Sequence, residues 1–281
     1  MRWLIPLIGI VYCGVLAGHG RAAPRIASLN LCTDQLALML ADKEEIVALS
    51  PLVRDCSASV LCHEGLPHVI FAADAENILS VHPDIVLAGQ YTARTAVMAA
   101  REVGAHIVIL PPARRLSDIP GQIRRVAQAV GHPERGEALI AVFEKRLRGM
   151  SDLTTGVNPI AAVYEANGLV AGGASLQNDV LKYSGFQNLA VRAALPAGGR
   201  IPLETLLAWR PDLLILDRSG QGHSLAQAML DNPVLTEFFP GVHHVNIPAS
   251  LWLCGLPQTL EAVAVLRRAR AALAENKTEA P

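Results

Sequence analysis

From position 25 onward, short runs of apolar and β-branched residues alternate with longer stretches whose apolar positions recur every three or four residues. "RIASL", "EIVALS", "PDIVLAG" and "AHIVIL" are runs of the first kind. A short apolar run with little alternation predicts a strand covered on both faces. Between them, "TDQLALMLA" and "TARTAVMAAREVG" carry helical spacing, with Thr33 and Thr92 placed to cap the starts and Gly104 to end the second. Strands and helices in alternation predict a parallel sheet between two helical layers.

The rhythm stops at Ser117. Through about Asp152 no strand pattern occurs, and "LSDIPGQIRRVAQAVG" and "PERGEALIAVFEKRLRGM" predict two helices divided at Gly131. Pro133 suits the first turn of the second helix. Leu139, Val142, Phe143 and Leu147 are expected on one face of it, with Glu144, Lys145 and Arg148 elsewhere. The alternation then resumes with "IAAVYEA", "PDLLILD" and "VHHVNI" and closes on "PQTLEAVAVLRRARAALA". The chain thus divides into an N-terminal α/β lobe (24–132), a linking helix (133–153) and a C-terminal α/β lobe (154–281).

One stretch is said twice. "ENILSVHPDIVLAG" returns as "ETLLAWRPDLLILD", and the same offset separates Glu76 from Glu204, Pro83 from Pro211 and Asp84 from Asp212. Any α/β protein repeats helix–turn–strand units. Equal spacing through Glu, Pro-Asp and strand points further, to two lobes built alike.

Composition narrows the function. Of 281 residues, 51% are hydrophobic and the net charge is −1. The absence of a basic block to neutralise phosphates argues against a nucleic-acid partner. Arg2, the apolar run "WLIPLIGIVYCGVLA" and the small-residue segment "GHGRAA" predict a cleaved export signal over 1–23 and a periplasmic protein. A cut after Ala22 places Gly20 and Ala22 at the two small-residue positions; a cut after Ala23 fits less well. The run is too short, and too interrupted by Pro6 and Gly9, for a membrane anchor. Cys13 follows Tyr12, a poor context for lipid attachment. In an oxidising compartment, Cys56 and Cys62 in "CSASVLC" are expected to close a small disulfide loop, whereas Cys32 and Cys254 either pair or stay reduced.

Enzyme signatures are missing. No "GxSxG" elbow, no "GxxxxGK[ST]" phosphate loop and no dinucleotide fingerprint after the first strand occur, and Ser175 in "AGGASL" has no partner at a nucleophile's spacing.

"RIASLNLCTDQLALMLADKEEIVALS", "AENILSVHPDIVLAG", "AGGASLQNDVLKYSGFQNLA" and "PLETLLAWRPDLLILD", in that order, resemble the periplasmic binding proteins for iron complexes and cobalamin. The resemblance runs from about Arg25 to the final helix. It implies an α/β fold of two Rossmann-like lobes joined by a single long α-helix, with small opening motions and the ligand between the lobes. It implies a monomer that delivers its ligand to an ABC permease dimer with ATPase subunits in the inner membrane, and that needs no cofactor or metal of its own. One surface glutamate on each lobe of such proteins docks against permease arginines, and the matching positions are Glu76 and Glu204. Read alone, each is also an ordinary helix-start glutamate favoured by the helix dipole. The ligand class is a ferric siderophore or cobalamin, with haem admitted through Tyr91 or Tyr164 as an iron ligand.

In open parallel sheets, ligands sit beyond the carboxyl ends of the strands. The loops there nominate Cys32, Thr33, Arg54, Gln90, Tyr91, Arg94, Tyr164, Arg200 and Trp252. The aromatics offer flat faces for a large ring, and the arginines offer charged forks for carboxylates. Trp252 sits in an apolar stretch that also suits core packing; its match to a tryptophan near the ligand in the cobalamin relative favours the cleft. Metal-carrying relatives use a histidine near the end of the first strand, and "SLNLCTD" has none. That argues against bare metal transport despite "CHEGLPH", while His243 and His244 read as structural. The competing classes are a periplasmic enzyme on a two-lobed scaffold, a ligand-sensing partner of a membrane receptor, and a bare-metal binder.

Overall fold

A computed structural model describes residues 23–64, 74–150, 158–195, 197–219 and 225–279. The predicted export signal lies outside them, save Ala23. The N-terminal lobe runs β1 (Ile26–Ser28), α1 (Leu31–Leu40), β2 (Ile46–Ala48), α2 (Ala75–Val81), β3 (Ile85–Gly89), α3 (Arg94–Glu102), β4 (His106–Leu110) and α4 (Ile119–Ala129). Its four strands are all parallel, in the order β2-β1-β3-β4. Every residue of β1 is buried, as an apolar run without alternation requires.

The linking helix is α5 (Pro133–Arg148). After it come β5 (Ile160–Glu165), β6 (Leu169–Val170), α6 (Leu176–Tyr183), β7 (Gln187–Asn188), α7 (Leu189–Arg192), β8 (Gly199–Arg200), α8 (Leu203–Trp209), β9 (Leu213–Leu216), α9 (Leu225–Ala228), α10 (Pro233–Phe238), β10 (His244–Asn246) and α11 (Thr259–Glu279). These strands form a separate sheet in the order β10-β9-β5-β6-β8, with β7 also paired to β5. β10, β9, β5 and β7 are parallel; β6 and β8 form an antiparallel flank. Among the described residues the strands form two sheets, not one.

The repeated stretch has the same shape in both lobes. α2 and α8 each end in a left-handed residue, His82 at φ 43° and Arg210 at φ 45°, just before Pro-Asp and a buried strand. Asp84 then accepts a hydrogen bond from the backbone N–H of Arg25 at 2.8 Å, and Asp212 accepts one from Ile160 N–H, also at 2.8 Å. In each lobe the Pro-Asp carboxylate therefore fastens the start of that lobe's first strand. The role explains why the dipeptide and its spacing recur together.

α5 is fixed at both ends. At its start, His132 Nε2 lies 2.8 Å from Glu45 Oε2, and Arg135 reaches the Asp42 carboxylate at 2.8 Å and the Leu40 carbonyl at 3.1 Å. Beyond its end, Arg267 of α11 donates to the Met150 carbonyl. Gly136 lets the rod lie close on α4, because a Cβ there would stand 2.5 Å from Ala127 Cβ. The buried face of α5 is Gly136, Ile140 and Phe143. Val142, expected on that face, is 57% exposed, so the true stripe lies to one side of the expected one.

Local corrections follow from side-chain hydrogen bonding. Asn30, not Thr33, caps α1: its side chain accepts from Cys32 N–H, while Thr33 sits inside the first turn and donates back to the Asn30 carbonyl at 2.9 Å. Thr92 does not cap α3 either; its hydroxyl accepts from Gly89 N–H at 3.0 Å and shapes the preceding turn. Gly104 does follow the end of α3, at φ 82°.

One hydrophobic cluster crosses the molecule. It joins Leu36 and Leu40 of α1, Ile140 and Phe143 of α5, Leu181 of α6 and Leu260 and Leu266 of α11. Cys56 and Cys62 form the expected local disulfide, with Cα atoms 5.1 Å apart. Cys32 and Cys254 also pair, across 222 positions of sequence, so the question left open by the sequence is answered by a bond between the lobes.

Candidate functional site

The carboxyl ends of β1, β3 and β4 converge on a cavity of about 270 Å³. Asn30 to Thr33 follow β1, Leu52 follows β2, Gly89 ends β3 and leads into Gln90 and Tyr91, and Leu110 ends β4 and leads into Pro111 to Ala113. The C-terminal lobe supplies the opposite wall with Leu253, Cys254 and Gly255. The lining is mostly aliphatic, and polar groups come from Asn30, Gln90, Tyr91 and Gln122. A greasy hollow with a few placed polar groups is the usual form of a small-molecule site.

Local folding sets these groups. Asn30 is held as the α1 cap, and Gly89 makes room for it, since a Cβ on Gly89 would lie 3.0 Å from the Asn30 side chain. Gln122 donates from Nε2 to the Pro111 carbonyl at 2.8 Å, fixing the loop after β4. Leu110, Pro111, Pro112 and Gln122 also border a second hollow of about 410 Å³, which Arg125 lines. Gly255 presses against the N-terminal lobe: a Cβ there would be 2.3 Å from Ala113 Cβ. Asp179 of α6 accepts from Leu116 N–H at 2.8 Å, a further tie between lobes.

Four of the nominated ligand residues, Cys32, Thr33, Gln90 and Tyr91, line the cavity. Thr33 is 1% exposed and its hydroxyl is bonded to Ser28 and Asn30, so it shapes the wall and has little left to offer a ligand. Tyr91 is 76% exposed, the most open large side chain at the mouth. Arg54, Arg94 and Arg200 are exposed but stand outside the cavity lining.

Two nominations are corrected. Tyr164 is fully buried in a second apolar cluster with Leu206 and Leu216, beneath the start of α8. Its hydroxyl has no hydrogen-bond partner, and burial, reinforced by the Glu204 charge, raises its pKa. It therefore does not line the cavity. Trp252 is 4% exposed and packs in the cluster that crosses the molecule. Its neighbour Leu253, 53% exposed, is the residue that faces the cavity. Both errors have one source, because strand ends and tight turns send successive side chains to opposite sides.

Sequence reasoning missed Asn30 and Gln122 in the lining, and passed over a carboxylate pair at the strand ends of the C-terminal lobe, which stands outside that lining. Glu165 ends β5 and Asp217 follows β9; burial first, then the Asp217 charge, raises the Glu165 pKa against a hydrogen bond from Gln177. The strand-end rule that nominated Tyr164 would have found Glu165 one residue later. Of the "CHEGLPH" cluster, Cys62 is tied in its disulfide, which removes the thiolate, and His68 lies outside the described residues. His243 and His244 are bonded through Nδ1 to the carbonyls of Asp212 and Phe239, at 2.9 and 2.7 Å, in keeping with a structural role. Ser175 caps α6 and donates to the Gly172 carbonyl at 2.6 Å, which spends the hydroxyl on the turn.

Glu76 and Glu204 occupy the same place in the repeat. Each is exposed, in the first turn of a seven-residue helix, one on each lobe.

Solved structures with this architecture include three periplasmic ligand-binding proteins. A heme-binding protein of Roseiflexus sp. RS-1 is 22% identical, with a TM-score of 0.69, covering 90% of this chain and 99% of its own. A heme-binding protein of Pseudomonas aeruginosa is 22% identical at a TM-score of 0.70, covering 88% and 92%. The vitamin B12 binding protein of Vibrio cholerae is 17% identical at 0.69, covering 89% and 98%. At such identities the likeness is one of fold. No curated protein sequence matches the chain. The family model described as periplasmic binding protein matches residues 26–244, well over half the chain. With both lobes, the rod between them and the interlobe cavity in place, the chain belongs to the periplasmic binding protein family.

Proposed function

We propose that this chain is the periplasmic substrate-binding component of an ABC importer for a metal chelate, and that haem is the chelate its cleft suits best. The observation that carries the second part is Tyr91. An exposed phenol stands at the mouth of an aliphatic hollow, where its oxygen is free to ligate ferric iron while the ring of the chelate lies on Leu52, Leu110 and Leu253. The fold relatives from Roseiflexus and Pseudomonas that bind heme add support. The relative from Vibrio that binds vitamin B12 keeps cobalamin as the second reading. A ferric siderophore is the third, favoured by Arg125, which lines the hollow adjoining the cavity.

The test is a titration of the mature protein with haemin, cyanocobalamin and ferric siderophores, followed by visible absorption. Haemin is expected to bind with a tyrosinate-to-iron spectrum. Tyr91→Phe, which removes only the oxygen, is expected to lose that spectrum and at least tenfold in affinity. Binding of cobalamin or a siderophore but not haemin overturns the assignment, as does an unchanged spectrum in Tyr91→Phe.

Export through residues 1–23 would bring the protein to the periplasm, where it alters no bond in its ligand. Glu76 and Glu204 would dock it on the two permease subunits, fixing orientation through two charged contacts that salt weakens. Glu76→Arg combined with Glu204→Arg is expected to reduce uptake to background while ligand binding in solution stays as in the native protein. Uptake that persists at physiological salt removes the docking role.

A further inference from the structure

We propose that Cys32 and Cys254 are positioning residues of the ligand site: their disulfide pins the two walls of the cavity to each other and so sets how long a ligand stays. The inference rests on the interlobe cavity being the ligand site. Cys32 is the second residue of α1 in the N-terminal lobe, and Cys254, 1% exposed, lies in the loop before α11 of the C-terminal lobe. Both line the cavity. The bond is therefore part of the wall and not a remote brace.

Its mechanical consequence follows from counting connections. Two bodies joined by one rod can swing in several directions. Joined at a second point, they keep a single large rotation, about the line through both points. Displacement in that rotation grows with distance from the line, so atoms beside the bond hardly move. Asn30 is two residues from Cys32, and Leu253 and Gly255 flank Cys254. These groups keep their spacing whether the lobes are open or closed, and a ligand meets a floor already in its bound shape. Preorganisation of this kind raises affinity by removing an ordering cost from the binding step. Gly255 against Ala113, the Asp179 bond to Leu116 N–H and the apolar cluster shared by both lobes add further contacts, but none is covalent.

The second disulfide supplies the control. Cys56–Cys62 closes a short loop within the N-terminal lobe and crosses no cleft. Three proteins are compared: native, Cys32→Ala with Cys254→Ala, and Cys56→Ala with Cys62→Ala. In each, amide hydrogen exchange is read without ligand at Asn30–Thr33 and Leu253–Gly255, and haemin dissociation is read by stopped flow. The Cys32/Cys254 variant is expected to exchange at least tenfold faster in those two segments and to release haemin at least tenfold faster. The control variant is expected to match the native protein in both. Rates within twofold of native, or equal losses in the control, overturn the proposal. If the Cys32/Cys254 variant does not fold, the measurement moves to the folded Cys56/Cys62 variant, in which a phosphine reductant opens only the interlobe bond. The same criteria then apply before and after reduction. A native protein that binds no haemin refutes the haem assignment alone, because the exchange comparison still decides this proposal.

Discussion

As pH rises from about 4 to about 7, the native protein is expected to lose stability that an Asp34→Asn variant keeps. Asp34 is fully buried in the first turn of α1. One carboxylate oxygen accepts from the backbone N–H of Ser50 at 3.2 Å and from the Ser50 hydroxyl; the other has no partner. Burial pushes the pKa from 3.8 up to about 7, and the nearby Ser28 hydroxyl and the hydrogen bonds from Ser50 pull it down without prevailing. The folded state thus holds a proton that the unfolded chain has already released. The stabilisation is complete below about 3.8 and is lost as pH rises through about 7. At about 1.4 kcal/mol per pKa unit, the full swing is on the order of 4 kcal/mol. Asparagine fills the same space without a charge to bury. Urea unfolding at pH 5 and pH 8 checks this: the native protein should be weaker at pH 8 by about 2–3 kcal/mol relative to the variant's own change. Parallel pH profiles for the two proteins would refute it.

Gly255→Ala is expected to disrupt the cleft despite adding one methyl. The new Cβ would fall 2.3 Å from Ala113 Cβ and 3.2 Å from Ile119 Cγ1, so the C-terminal loop must back away from the N-terminal lobe. Overpacking of a closed contact costs about 1–3 kcal/mol, and here the retreat also widens the ligand cavity. Affinity for haemin should fall at least tenfold with the thermal midpoint lowered. Ala113→Gly removes the opposing methyl, so the double variant should recover most of both losses. A Gly255→Ala protein with native affinity, or no recovery in the double variant, would show that the lobes do not meet there as described.

The architecture could be read from the chain because periodicity reports layers well. "PDIVLA" and "PDLLIL" have too few polar positions for a surface strand, and β3 and β9 are accordingly buried. The break between Ser117 and Asp152 likewise marked the join between lobes. The site was legible down to loops and no further. A loop's place at a strand end is fixed by topology, but which of two adjacent side chains turns inward depends on φ and ψ at that turn. Trp252 against Leu253 shows that one-residue ambiguity. Asn30 was overlooked because cap choice rests on which polar side chain reaches the free N–H groups, and Thr33 satisfied the same composition rule from a poorer position. Pairing of Cys32 with Cys254 depended on tertiary proximity that spacing in sequence does not encode.

The unbroken oily seam from α1 through α5 to α11 has a bearing on ancestry and engineering. Two modules that share a blueprint are expected to melt as one, because neither can unfold without baring the surface on which the other relies. Injury to one half is thus felt in both, and exchanging a half for that of a cousin requires redrawing the seam along with it.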